Sequence, residues 1–324
     1  MIRMKQILLF VFVLSLTACN KQKNADSHVS NGNINEISVV INDAMWNGEV
    51  GDNVRHKLAA PIEGLMQEEP IFTLNQYHED TFNEVLKKGR NIIIIQQADK
   101  RGFSFKRNSY CAPQNVFTIT GQTTDDLGEL VEMHADEIIK VIKETEIAEN
   151  QERNIKKGLI DSLKVNRYFG LSINIPADYK YAAEGNNFLW FKKDVHNGNT
   201  NILIYSVPYE VIERNKTMIK NIIAMRDSIG SQYIHGQEDS TYMVTEEAYS
   251  PSVFMTSFKE RRAFETRGNW EMEKGAMNGP FLNYAIRDDE NNRYLVIEGF
   301  IYSPSSPKRD FIIELESIIH SANF

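Results

Sequence analysis

Apolar residues recur along this chain in two rhythms, and the change between them falls near Gly170. In the first stretch, short continuous apolar runs alternate with helical periodicity. Residues 37–41, Ile-Ser-Val-Val-Ile, read as a strand ended by Asn42 and Asp43. Across residues 48–65, Val50, Val54, Leu58 and Ile62 return at four-residue steps, which predicts a helix that Pro61 ends or kinks. Residues 70–74 read as a strand and 81–89 as a short helix closed by Gly89. The run 91–95, Asn-Ile-Ile-Ile-Ile, is continuous and β-branched, the mark of a strand buried on both faces. Strands at 103–106 and 116–120 complete a first sheet.

A longer helix opens at Thr123, Thr124, Asp125 and Asp126, whose side-chain oxygens can cap free amides and whose acids complement the positive helix end. Leu127, Leu130, Val131, His134, Ile138, Val141 and Ile142 share one face. Polar residues 150–157 and Gly158 interrupt that stripe, and a helix unbroken to Tyr168 would measure about 65 Å at about 1.5 Å per residue. The bridge between two domains is therefore placed at 151–169.

Beyond it, residues 171–176, 188–191 and 202–207 alternate with period two, as half-buried antiparallel strands do. A helix at 218–229 follows, then strands near 242–244, 253–258, 262–267, 283–287 and 294–302. Pro304 and Pro307 bracket a loop before an amphipathic helix at 309–320. The expectation is an α+β chain of two α/β-sandwich domains with mainly antiparallel sheets, one over 36–150 and one over 170–324.

Ahead of both lies a different segment. Arg3 and Lys5 precede an apolar run that ends in Leu16-Thr-Ala-Cys19, a lipobox. The run is shorter than the ~20 residues that span a bilayer, so residues 1–18 read as a removable lipoprotein signal and Cys19 as the lipidated mature N-terminus. Residues 19–35 contain almost nothing that packs and read as a flexible tether. No acidic run follows Cys19, which favours the periplasmic face of the outer membrane.

Removing residues 1–18 takes away Arg3 and Lys5 and no acid, so the net charge moves from −8 to −10. That balance disfavours nucleic acid, whose phosphates need clustered Lys and Arg, and leaves membrane contact to the lipid alone. Only two cysteines exist. With Cys19 blocked, Cys111 has no partner, and it reads as a small buried thiol before it reads as a nucleophile. His134, with no second His or Cys one turn away, reads as a core-edge histidine before a metal ligand. Asp125 with Asp126, Glu246 with Glu247, and Asp288 with Asp289 read as solvated acid pairs. Asp161-Ser, Asp227-Ser and Asp239-Ser resemble a short O-glycosylation pattern, with Ser240 in its polar loop the best of the three.

Trp46, Glu69-Pro-Ile-Phe-Thr-Leu74, residues 82–90 leading into Ile92 and its neighbours, Ala112-Pro-Gln114, Ile223-Ala-Met-Arg226, Arg267-Gly-Asn-Trp-Glu271 and Gly279-Pro-Phe281 occur in an order that resembles the Bacteroidetes lipoprotein family, domain of unknown function 4837. The resemblance covers nearly the whole mature chain, implies an envelope lipoprotein and implies no activity. The second half is also similar in layout to the PsbP and Mog1-like sandwich, a likeness of fold only.

Arg267, Trp270 and Glu271, near Gly268, Gly275 and Gly279, form the densest cluster of special residues. Two readings stand: a ligand or partner contact shared with Arg226 and Trp46, or a bulged hairpin whose tryptophan plugs the sandwich. No catalytic motif, cofactor fingerprint or metal-spaced set is present. The leading expectation is a noncatalytic, membrane-tethered binding or assembly module with an envelope protein partner. An envelope hydrolase or carbohydrate-active enzyme, and a small-ligand carrier using Trp190 or Trp270, are the alternatives.

Overall fold

In the computed structural model, which describes residues 29–324 except Lys216, Gln237 and Asp239, the two rhythms become two sheets. The signal segment, Cys19 and most of the tether lie outside the described residues. In the first half β1 (Glu36–Ile41) leads through a helical turn α1 (Asp43–Trp46) into α2 (Glu49–Leu58), followed by β2 (Thr73–Tyr77), β3 (Asn91–Gln97), β4 (Gly102–Arg107), β5 (Asn115–Gly121) and α3 (Thr124–Lys157). The strands pair in the order β2-β1-β3-β5-β4, parallel except where β4 runs against β5.

The α+β class holds, but this sheet is mixed where antiparallel pairing was expected. The cause is in the connections: α2 carries the chain from β1 back to the same end before β2, and a helical crossover makes neighbouring strands parallel. Ile37, Val39, Ile41, Ile93, Ile95 and Phe117 pack against Val50, Val54 and Leu58 of α2 and Leu127, Val131 and Ile138 of α3. Val40, Ile92 and Val116 form a smaller cluster behind, with Phe82 and Ile94 against it.

Several local expectations shift. Helix α2 stops at Leu58, so Pro61 lies beyond it. Residues 81–89 form two single 3-10 turns, Glu79–Thr81 and Leu86–Lys88, with Phe82 turned onto the rear cluster between them. Helix α3 keeps its predicted start: the Thr123 side chain accepts from the Asp126 amide while the Asp126 carboxylate accepts from the Thr123 amide. It does not break at 150–157. Asn150 and Asn154 are buried, and Gln151 donates to the Ser317 carbonyl at 2.9 Å, so one face of the polar stretch meets protein while Glu152, Lys156 and Lys157 meet water. The helix ends only at Gly158, whose φ of +97° suits glycine.

The second half contains α4 (Leu163–Phe169), β6 (Lys180–Gly185), β7 (Phe188–Val195), β8 (Gly198–Pro208), α5 (Tyr209–Glu213), α6 (Met218–Tyr233), β9 (Met243–Thr245), β10 (Ser252–Phe258), β11 (Arg261–Met272), β12 (Asn278–Asp288), β13 (Arg293–Tyr302) and α7 (Arg309–His320). The sheet is antiparallel throughout, ordered β10-β11-β12-β13-β8-β7-β6, with β9 also paired to β11. Leu295, Ile297 and Ile301 of β13 face α4 and α7. Tyr294, Val296 and Phe300 face α6. Residues 171–176 keep the expected alternation, with Leu171, Ile173 and Ile175 buried, yet they make only single bridges, Ser172 to Asn323 and Pro176 to Leu159.

The halves meet along α7. Its backbone amides at Lys308 and Arg309 donate to the Glu69 carboxylate at 2.7 and 2.9 Å, so a first-half side chain caps a second-half helix. Ile62 and Leu65 add apolar contact to the core beneath α7.

Candidate functional site

The five residues singled out from sequence do not share one space. Successive side chains of a strand point to opposite faces, and this separates Arg267 from Trp270. Arg267 faces α7, where it pairs with Glu316 and, at 2.6 Å, with Glu265. Burial opposes its charge, but the Glu316 and Glu265 carboxylates outweigh burial and hold the guanidinium above its usual range. Trp270 is 1% exposed on the α6 side, its Nε1 donating to the Ile301 carbonyl at 3.0 Å and its ring set edge-on to Phe300. It plugs the sandwich. Glu271 is half-buried, its strand position pairing with Val244 and Asn278.

Arg226, 1% exposed on α6, donates to Glu298 Oε1 and Thr245 Oγ1, both at 2.9 Å, and lies over the Phe281 ring. Asn283 completes this buried set by donating to Glu298 Oε2 at 2.8 Å. Trp46 belongs to the first half, under the guanidinium of Arg55. Trp190 is half-buried and donates to Asn201 at 2.9 Å.

The secondary candidates take structural places. Cys111 is buried, and burial pushes its thiol up. His134 stacks on Phe103 with ring centroids 3.8 Å apart. Asp288 is gripped by Arg293 at 2.8 Å and Arg261 at 3.2 Å. Ser228 sits inside α6, Ser162 immediately precedes α4, and Ser240 is exposed beside undescribed Asp239. Among the described residues no three His, Cys, Asp or Glu side chains gather as metal ligands.

Two features that sequence reading did not single out lie side by side. The first is the edge strand β10, which among the described residues pairs only with β11. Its seven residues, Ser-Val-Phe-Met-Thr-Ser-Phe, carry no charge, and Phe254 and Met255 are 43% and 73% exposed on its two faces. The opposite edge, β6, holds Lys180 and Glu184, the latter engaged by Lys164 and Tyr168. Charged side chains are the usual guard of a free edge. Only β6 has them.

The second is a hollow of about 360 Å³ between the start of α6 and the sheet. Register builds it: Ala263 of β11 stands opposite Ile286 of β12, Arg287 of β12 opposite Tyr294 of β13, and Met255 of β10 opposite Phe264, with Arg262 lining the same space. Met218 forms the far wall. The signal was present as residue types, but pairing registers had to be known before these residues became neighbours.

A third recess, of about 480 Å³, opens at the carboxyl ends of β1 and β3, where open parallel sheets commonly take ligands. Glu49 and Glu79 line it beside the first turns of α2 and α3. Glu49 already complements the start of α2.

The profile of the family Domain of unknown function (DUF4837) matches residues 159–321, which takes in α4 through α7. The chain belongs to the DUF4837 family. The expected resemblance spanned nearly the whole mature chain, whereas the DUF4837 match is confined to the second half. Residues 30–155 match a separate family, Domain of unknown function (DUF8532), which takes Trp46, Glu69 and the Ala112-Pro-Gln114 motif. Among solved structures, the Ran-binding protein Mog1p of Saccharomyces cerevisiae is similar at 7% identity and a TM-score of 0.32, covering 48% of this chain and 91% of that one. A mutant of protein Mog1 is similar at 8% identity and a TM-score of 0.31, covering 47% and 89%. No curated protein matches the chain.

Proposed function

We propose that this DUF4837 protein is a noncatalytic docking module of the bacterial cell envelope, held at the periplasmic face of the outer membrane by lipid on Cys19. It receives an extended segment of an envelope protein along β10. The observation that carries the docking role is the uncharged open edge with Phe254 and Met255 exposed on its two faces. An added strand would bond the free backbone groups while alternate side chains meet those two residues, the usual mode of strand addition. The lipobox ending at Cys19 supports the tether.

The test has two arms. A photoreactive residue at position 255 should crosslink one reproducible envelope protein, and Phe254→Lys should abolish the crosslink without unfolding the chain, because a charge on an edge blocks further pairing. Cys19→Ser should move the protein to the soluble fraction. An undiminished crosslink in Phe254→Lys would end the docking proposal, and membrane retention of Cys19→Ser would end the tether.

A further inference from the structure

The hollow beside α6 combines features that a sheet does not keep without cost. Arg262 of β11 and Arg287 of β12 both line the hollow, so two like charges from adjacent strands share one space. Arg287 is answered by Glu213 and, at 2.7 Å, by Asp289. Arg262 has no ion pair or side-chain hydrogen bond among the described residues, although it lines the hollow with the Glu213 carboxylate. Phe264, Met218 at 37% exposure and Met255 at 73% add apolar wall, with Asn215 and Tyr294 also in the lining. A volume of about 360 Å³ falls within the ~300–1,000 Å³ of small-molecule pockets.

A bare anion gains little here. The chain carries a net charge of −8, and Glu213 stands inside the same hollow, so the arginine alone offers a weak electrostatic site. An anion with an apolar tail gains twice: its head meets Arg262, and its tail covers methionine and phenylalanine surface that otherwise faces water. Met side chains adapt to such tails because three rotatable bonds and a polarizable sulfur let them repack. The geometry points to a binding site for a single-chain anionic amphiphile, a medium-chain carboxylate or its equivalent, with Arg262 on the head group and Met218, Met255 and Phe264 on the tail. This site shares Met255 with the β10 edge, but Arg262 and Met218 lie off that strand, so variants at those two positions test it separately from docking.

Titration calorimetry on the full chain tests it with decanoate, octanoate, acetate and decanol. Decanoate should bind, acetate should give no heat, and octanoate should bind about tenfold more weakly than decanoate, as expected for two fewer buried methylenes. Decanol should bind more weakly than decanoate, because it lacks the charge that meets Arg262. Arg262→Gln and Met218→Asn alter exposed side chains and should leave the far-ultraviolet circular dichroism unchanged while each weakens decanoate about tenfold. No binding of decanoate to the wild-type chain, or equal affinity in Arg262→Gln, would overturn the assignment.

Discussion

Arg226 on α6 places its Nε 2.9 Å from Glu298 Oε1 on β13, and neither residue is more than 1% exposed. The helix is thereby fixed to the middle of the sheet by a charge pair that water does not reach. Removing one partner strands the other in the core. Arg226→Ala should cost about 3–5 kcal/mol in urea denaturation, and the double replacement Arg226→Met with Glu298→Leu should recover much of that loss. A double variant no more stable than the single one would count against this account.

Trp270 gives a second stability test. Trp270→Ala should cost about 3–5 kcal/mol because it empties the space against Phe300. Trp270→Phe keeps most of the apolar contact and loses the bond to the Ile301 carbonyl, so about 1–3 kcal/mol is expected. A stable Trp270→Ala with lost partner binding would restore the contact reading.

The acid limb of stability should depend on Arg267. Burial pushes the Glu316 carboxyl up, but Arg267, with help from Lys143 and His320, outweighs this and holds it below its ordinary value of 4.5. A carboxyl depressed in the fold contributes stability above its unfolded pKa and loses it as pH falls through the folded one. In Arg267→Ala only Lys143 and His320 still oppose burial, so the Glu316 carboxyl moves up from its wild-type position and its contribution above the unfolded pKa shrinks. The difference between variant and wild type should therefore grow from pH 4 to pH 7. Denaturation midpoints at both pH values decide it, and an equal loss at each would refute the pairing.

Glu69 makes the junction between the halves measurable. Its carboxylate satisfies two amides at the start of α7 where Lys308 offers no side-chain cap. Glu69→Ala should lower stability by about 0.5–2 kcal/mol. An unchanged thermal midpoint would show that water replaces it fully.

Cys111 should be inert in the native state. Its thiol is buried near the Lys87 and Lys88 carbonyls, and burial favours the protonated form. Iodoacetamide at neutral pH should label it only after denaturation, as read by peptide mass spectrometry. Rapid native labelling would reopen the nucleophile reading.

The second sheet was legible because its strands alternate: the runs at 188–191, 202–207 and 294–302 lie inside β7, β8 and β13. Strand β6, Lys-Tyr-Ala-Ala-Glu-Gly, has no such alternation because it is an edge whose side chains meet water. The parallel order of the first sheet was hidden because continuous apolar runs report burial on both faces and not strand direction. Residues 150–157 misled for a related reason. Asn150 and Asn154 look solvent-facing in sequence, yet Asn150 bonds to the Glu146 carbonyl within the buried seam. Among the singled-out site residues, the sequence clustered Arg267 with Trp270, and strand alternation placed them on opposite faces.

Helix α3, 34 residues long and about 50 Å at about 1.5 Å per residue, acts as a splint laid across a seam between two inherited pieces. Its first turns belong to the segment matched by one family profile, yet its last turns shield α7 of the other. Severing the polypeptide at Gly158 therefore does more than separate a pair of modules. It strips α7 of its neighbour, so the fragments should melt at lower temperature apart than joined, and the intact molecule should unravel in a single step.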